Sequence, residues 1–258
     1  HIFKIRRTIV IGVFMSRVFS IVSSKGGVGK TTLAINLAAA LSKIGKKVIL
    51  IDTSIRSSDV GLYLGLHEHE HSLNDLLKEY VDTKAAIHKI HDFDVIPTSL
   101  SYHDMDTPLL RIEKIVDELM ADYDYIIIDT PPGLDEAAKK AVEVSTDTIV
   151  VTTDEVPAIA GAIKTILMIR DTKTNPHGVV VNRYEGFPVS QIEKSCSVPV
   201  ISVIPEDRSI KWSVNLRKPV VIHRPYSLSA IEFQRLAHRI ADLKFKEPGF
   251  FQRLFGRL

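Results

Sequence analysis

The chain has 258 residues, of which 45% are apolar and 25% charged, a globular composition long enough for one large α/β domain. Thirty-three basic side chains against 31 acidic ones leave a net charge of +2, which gives no global pull toward nucleic acid. The single cysteine, Cys196, excludes an internal disulfide and any cluster needing several thiolates, and no run reaches the roughly 18 apolar residues of a bilayer span.

In chain order, residues 1–14 carry Lys4, Arg6 and Arg7 ahead of an apolar stretch too short for a signal peptide, with no small-residue cleavage site after it. The first residue is His1, and Met15, Ser16 and Arg17 lead straight into a strand, so residues 1–14 are expected to be an upstream extension. Residues 17–23 read as a short apolar strand, and residues 31–44 as a helix with Leu33, Leu37, Ala40, Leu41 and Ile44 at helical spacing. Between them lie Ser24, Lys25, Gly26, Gly27, Val28, Gly29, Lys30, Thr31 and Thr32, a phosphate-binding loop. Its glycines let backbone N–H groups approach phosphates at a helix N-terminus, Lys30 supplies phosphate charge and Thr31 a hydroxyl for Mg²⁺. Ser24 stands where such loops usually begin with glycine, and Lys25 adds a second cation that one nucleotide does not require.

Further strands are expected at residues 47–52, 93–97, 125–129, 148–152, 178–182 and 200–204, and helices at 108–121, 134–144, 157–171 and 227–243. The alternation predicts a three-layer α/β fold, a mainly parallel sheet with helices on both faces. Ligands in such sheets collect at the carboxyl ends of strands, where Asp52, Asp129 and Asn182 fall. Asp129 ends an apolar strand and precedes Thr130, Pro131, Pro132 and Gly133, which suits a carboxylate that holds Mg²⁺ through water. His67, Glu68, His69, Glu70 and His71 alternate in a polar stretch that reads as a solvated loop, and Cys196 as a packed side chain. Lys211, Arg217, Lys218 and Arg224 read as solvated cations, and Trp212 as a residue of the core or of a partner face.

Residues 244–258 end the chain with Lys244, Lys246, Arg253 and Arg257 against Glu247. On a helix, Phe250, Phe251, Leu254, Phe255 and Leu258 form one apolar stripe, uncoupled from the preceding helix by Pro248. Such a basic amphipathic helix suits an anionic membrane surface, and its pattern also admits docking on the protein's own core or on a partner.

The loop at residues 25–32, the strand end Ile49, Leu50, Ile51 and Asp52, and Ile127, Ile128, Asp129, Thr130, Pro131, Pro132 and Gly133 together resemble the deviant Walker-A ATPases, the MinD/ParA group. The resemblance spans residues 15–258. It implies a P-loop ATPase domain over 15–243, ATP and Mg²⁺ as ligands, and a linker with a membrane-targeting amphipathic helix over 244–258. It also implies that Lys25 reaches the phosphates of a partner's ATP, so that two chains close over two nucleotides. Asn182, Arg183, Pro205, Glu206 and Asp207 match segments that line adenine in MinD-like members, favouring ATP over GTP. The implied partners are a second copy, an anionic membrane on the cytoplasmic inner face and a protein effector, with a role in positioning division or other polar machinery. A DNA-segregation ATPase of ParA type and a flagellar-number regulator are the rival readings; the tail argues against the first, and nucleic acid is not an expected partner.

One departure bears on chemistry. Members of this group usually continue the strand as Asp-x-Asp, the second carboxylate helping to position the attacking water, whereas here Asp52 is followed by Thr53 and Ser54. Hydrolysis is therefore expected to be slow, partner-dependent, or carried by Asp52 or Asp59.

Overall fold

The computed structural model describes residues 16–66, 70–172, 174, 176–249 and 252. The expected extension at 1–14, His67, Glu68 and His69, and the stripe of Phe250, Phe251, Leu254, Phe255 and Leu258 lie outside the described residues. The first half of the chain forms β1 (Arg17–Val22), α1 (Lys30–Lys43), β2 (Val48–Asp52), α2 (Asp59–Leu64), α3 (Leu73–Leu77), β3 (His88–Ile90), β4 (Phe93–Ile96) and α4 (Ile112–Leu119). There follow β5 (Tyr125–Asp129), α5 (Glu136–Glu143), β6 (Asp147–Thr152), α6 (Val156–Asp171) and β7 (Pro176–Tyr184). The chain then adds α7 (Val189–Cys196), β8 (Val200–Pro205), α8 (Arg208–Asn215), α9 (Val220–His223) and α10 (Leu228–Ile240).

The strands form one sheet in the order β3-β4-β2-β5-β1-β6-β7-β8, parallel except for β3 against β4. The central strands are apolar almost throughout because both faces are covered. Alternate residues serve opposite layers: Phe19, Ile21, Leu50, Ile127 and Val180 pack with α1, α9 and α10. Val18, Ile49, Ile51, Ile126 and Ile128 pack with α3 and α4, while Val22, Val150, Val179 and Val181 pack with α6 and α7. The result is the expected three-layer P-loop fold. Helix–strand–helix connections leave β1 between β5 and β6, so the loop after β1 opens into the crevice where strand order reverses.

Each strand expected from the sequence is present within a few residues. The helix expected at 108–121 begins only at Ile112, because residues 108–111 form a turn in which Ile112 N–H bonds to Leu109 O. The hairpin strand β3 and the short helices α2, α3, α7, α8 and α9 are additions to the expected set. Cys196 is buried, as expected for a packed side chain.

At the amino ends of the strands, Arg17 donates to Asp147 at 3.2 and 3.3 Å and to Ile240 O at 2.9 Å, and His177 Nδ1 lies 3.3 Å from Asp147. Burial alone would raise the Asp147 carboxyl, but bonds from His177 and Arg17 outweigh it and hold the group at about 2, below its usual 3.8. A depressed carboxylate stabilises the fold above its unfolded value and loses that contribution as pH falls toward the folded one. Asp147→Ala is therefore expected to cost about 2 kcal/mol at neutral pH, with the gap to the parent closing between about pH 4 and pH 2. Urea unfolding at pH 7 and pH 3 measures both.

Candidate nucleotide site

The loop between β1 and α1 owes its shape to two left-handed glycines, Gly27 at φ 77° and Gly29 at φ 98°. Gly29 is also fixed by contact: a Cβ there would stand 2.1 Å from Asn182 Nδ2, which donates to Val28 O at 2.8 Å. The Asn182 bond and the close Gly29 contact thus tie the phosphate loop to the end of β7. Ser24, the substitute for the usual first glycine, fits because α6 presents Gly161, where a Cβ would lie 2.3 Å from the Ser24 hydroxyl.

Lys30, the first residue of α1, is buried, and its ammonium donates to Ser23 Oγ at 3.2 Å. Burial lowers its pKa, while the charges of Asp129 and Asp59 oppose that shift. Thr31 Oγ1 donates to Asp129 Oδ2 at 2.6 Å, a short charge-assisted bond. The other oxygen, Asp129 Oδ1, is buried with no hydrogen-bond partner among the described residues. Burial first, then the neighbouring charge of Asp52, pushes the Asp129 carboxyl upward, for the two stand in register on adjacent strands.

An orphaned carboxylate oxygen, a hydroxyl beside it and crowded negative charge fit Mg²⁺. Among the described residues no three His, Cys, Asp or Glu side chains form a cage. That also fits an ion that keeps waters and takes phosphate oxygens with one or two protein groups. Thr31 and, through water, Asp129 would hold it, and it would supply charge to the phosphates.

Asp52 is fully buried at the end of β2 and faces inward. Its Oδ1 accepts Ser54 N–H at 2.8 Å; its Oδ2 accepts Thr98 Oγ1 at 3.0 Å and Val60 N–H at 3.4 Å. Burial raises its pKa against these three bonds. Asp59 instead lines the open cavity with Gly26, Gly27, Lys30, Thr31, Ser54 and Thr130.

Lys25 is placed differently from Lys30. Its side chain is 50% exposed and its ammonium lies 3.1 Å from Glu155, itself 65% exposed, at the start of α6. At the far side of the cavity Arg183, in the left-handed region at φ 52°, reaches toward Glu206 with 3.9 Å between charged atoms. Asp207 caps α8 through Ser209 N–H and ties down Ser229 through N–H and hydroxyl, so both its oxygens are engaged away from the cavity. Tyr63, Leu62 and Val214 also line the cavity. They were not legible from sequence, since they ride on α2 and α8, helices too short to show a period.

A family model described as an AAA domain matches residues 16–178. An uncharacterized ATP-binding protein of Methanocaldococcus jannaschii, MJ0547, is 34% identical over 94% of this chain and 98% of its own. The septum site-determining protein MinD of Thermotoga maritima is 34% identical over 88% of both. The structure of MinD from Pyrococcus horikoshii complexed with Mg-ADP superposes with a TM-score of 0.84 at 29% identity, covering 88% of this chain and 96% of that one. With the loop, Lys25 and Asp129 arranged as described, the chain belongs to the MinD/ParA family of P-loop ATPases, on its MinD side.

Proposed function

We infer that this chain is an ATP-driven dimerising switch: two copies loaded with ATP and Mg²⁺ pair across their nucleotide faces, and the pair settles on an anionic membrane surface through the C-terminal residues. Hydrolysis, under control of a protein effector, returns it to single chains. In the cell such a switch works on the cytoplasmic face of the inner membrane and positions division or other polar machinery. The observation that carries the reading is the split between the two loop lysines. Lys30 is buried for the chain's own phosphates, while Lys25 stands on the rim, held among the described residues only by an exposed carboxylate and free to serve a ligand outside its own chain.

The nucleobase reading has its own support. Asn182 Oδ1 is buried without a hydrogen-bond partner among the described residues. An open acceptor suits the amino group of adenine and opposes the oxo group of guanine at the same place.

The test sets ATP-loaded protein beside anionic vesicles and nonspecific duplex DNA. Sedimentation with vesicles and no retention on DNA is expected. Retention on DNA that falls steeply with salt, without vesicle binding, would replace this reading with a DNA-segregation ATPase.

A further inference from the structure

Two carboxylates stand near the phosphate end of the cavity in place of the pair that the Asp52, Thr53, Ser54 sequence interrupts, and their surroundings differ sharply. Asp52 is not in the cavity lining: it is fully buried, and its oxygens take the Ser54 N–H, the Thr98 hydroxyl and the Val60 N–H. Ser54 and Val60 are the two ends of the segment 54–60, so Asp52 clasps that segment into a closed turn. Ser58 tightens it, sitting in the left-handed region at φ 48° and donating its hydroxyl to Ser99 O at 2.7 Å. What the turn presents is Asp59, the first residue of α2.

Asp59 is exposed into the cavity that the phosphate loop lines, in company with Ser54, Lys30 and Thr31. Its side chain makes no hydrogen bond or ion pair with any described residue. It is close enough to Lys30, Asp52 and Asp129 for its charge to act on all three.

We propose that Asp59 is the catalytic carboxylate of ATP hydrolysis in this chain, orienting the attacking water in the role vacated at Ser54, and that Asp52 is its positioning residue. The proposal rests on the ATPase reading above. In the step, the water oxygen bonds to the γ-phosphorus as the bond from phosphorus to the β–γ bridging oxygen breaks. The proton shed by the water passes to the Asp59 carboxylate and then to the released phosphate, and ADP departs with the bridging oxygen. A carboxylate open to the cavity can take that proton; a serine hydroxyl is a far weaker base, and Asp52 is fully buried outside the cavity lining with both oxygens bonded.

The experiment uses the full chain with ATP, Mg²⁺ and vesicles of mixed phosphatidylcholine and phosphatidylglycerol. Asp59→Asn, which keeps the side chain's shape, and Asp59→Ala are both expected to lower kcat about 100-fold or more with KM, fluorescent-ATP affinity and melting temperature at parent values. Adding Ser54→Asp to Asp59→Ala returns a carboxylate to the water from the other side, and turnover should recover at least tenfold from the Asp59→Ala level. Parent-level kcat in Asp59→Ala overturns the assignment and leaves the ATPase reading standing. So does a loss of turnover that tracks lost nucleotide affinity or stability, or one that Ser54→Asp fails to rescue. A parent chain that binds ATP and never hydrolyses it, with vesicles alone or with cell extract added as a source of effector, overturns the ATPase reading and this proposal together.

Discussion

A chain carrying Lys25→Ala is expected to bind ATP as the parent does and yet to remain a single chain at concentrations where the parent pairs. The expectation follows from where the two cations sit. Lys30 is buried at the head of α1, bonded to Ser23 and flanked by Asp129, so the protein's own phosphates are served without Lys25. Among the described residues Lys25 is anchored only to Glu155, and an exposed ion pair of this kind is worth about 0.2–1 kcal/mol. Releasing it costs little. If it moves to the partner's triphosphate, the new contact forms in a closed interface between full charges, where removing one member costs roughly 2–5 kcal/mol. A pair holds two such contacts and the variant loses both, so at about 1.4 kcal/mol per decade pairing weakens by roughly 10³- to 10⁷-fold. Light scattering with a hydrolysis-resistant ATP analogue reads the association state, and a fluorescent nucleotide reads the intrachain affinity. Parent-like pairing by Lys25→Ala would show that the second lysine serves its own chain alone, and the switch described here would have no interface.

The features legible in the sequence are those that one local rule enforces. A strand buried on both faces must be apolar throughout, so β1, β2 and β5 are visible as runs, and the carboxylates that end β2 and β5 are visible as their punctuation. The phosphate loop is visible because its glycines and lysines are needed in that order. What the sequence hides is set by contacts between distant segments. That both Asp52 oxygens are bonded depends on Thr98, 46 residues away, and on Val60 in the first turn of α2. That Ser24 is tolerated depends on Gly161, a glycine inside a helix with no local reason to be one. Asp207, matched to the base-lining segment by resemblance, proves to be a helix cap that also pins the start of α10, a role set by Ser209 and Ser229. The pairing of Lys25 with Glu155 likewise spans 130 residues and leaves no trace in either neighbourhood.

Deleting residues 249–258 is expected to abolish ATP-dependent sedimentation with anionic vesicles while leaving ATP binding and pairing in solution intact. Along the path to those residues, the chain doubles back on α10. Phe245 lies against His238 and Arg235, with ring centroids 5.0 Å apart for the first and 5.4 Å from guanidinium to ring for the second, and Glu247 pairs with Arg235. Gln252 then reaches Tyr226 Oη at 3.4 Å, ahead of the helix start at Leu228. The start of α10 is tied to Asp207, just past the carboxyl end of β8, so the returning segment brings Gln252 to the nucleotide end of the sheet. Burying Phe250, Phe251, Leu254, Phe255 and Leu258 completely would yield roughly 7–15 kcal/mol at about 1.5–3 each. A helix lying in the interface buries only part of that surface and loses conformational freedom, so a single tail should hold weakly. Pairing changes the arithmetic: once one tail is in, the second inserts as an intramolecular event, raising avidity by about 10²–10⁴ with no new contact. Vesicle residence should therefore follow the nucleotide, weak with ADP and strong with ATP, and Lys25→Ala should lose it along with pairing. Replacing Phe251 and Phe255 together by Ser tests the stripe without shortening the chain. If either that variant or the deletion still sediments with ATP, the membrane contact lies elsewhere on the protein; if the parent sediments equally with ADP and ATP, pairing is not what drives it there.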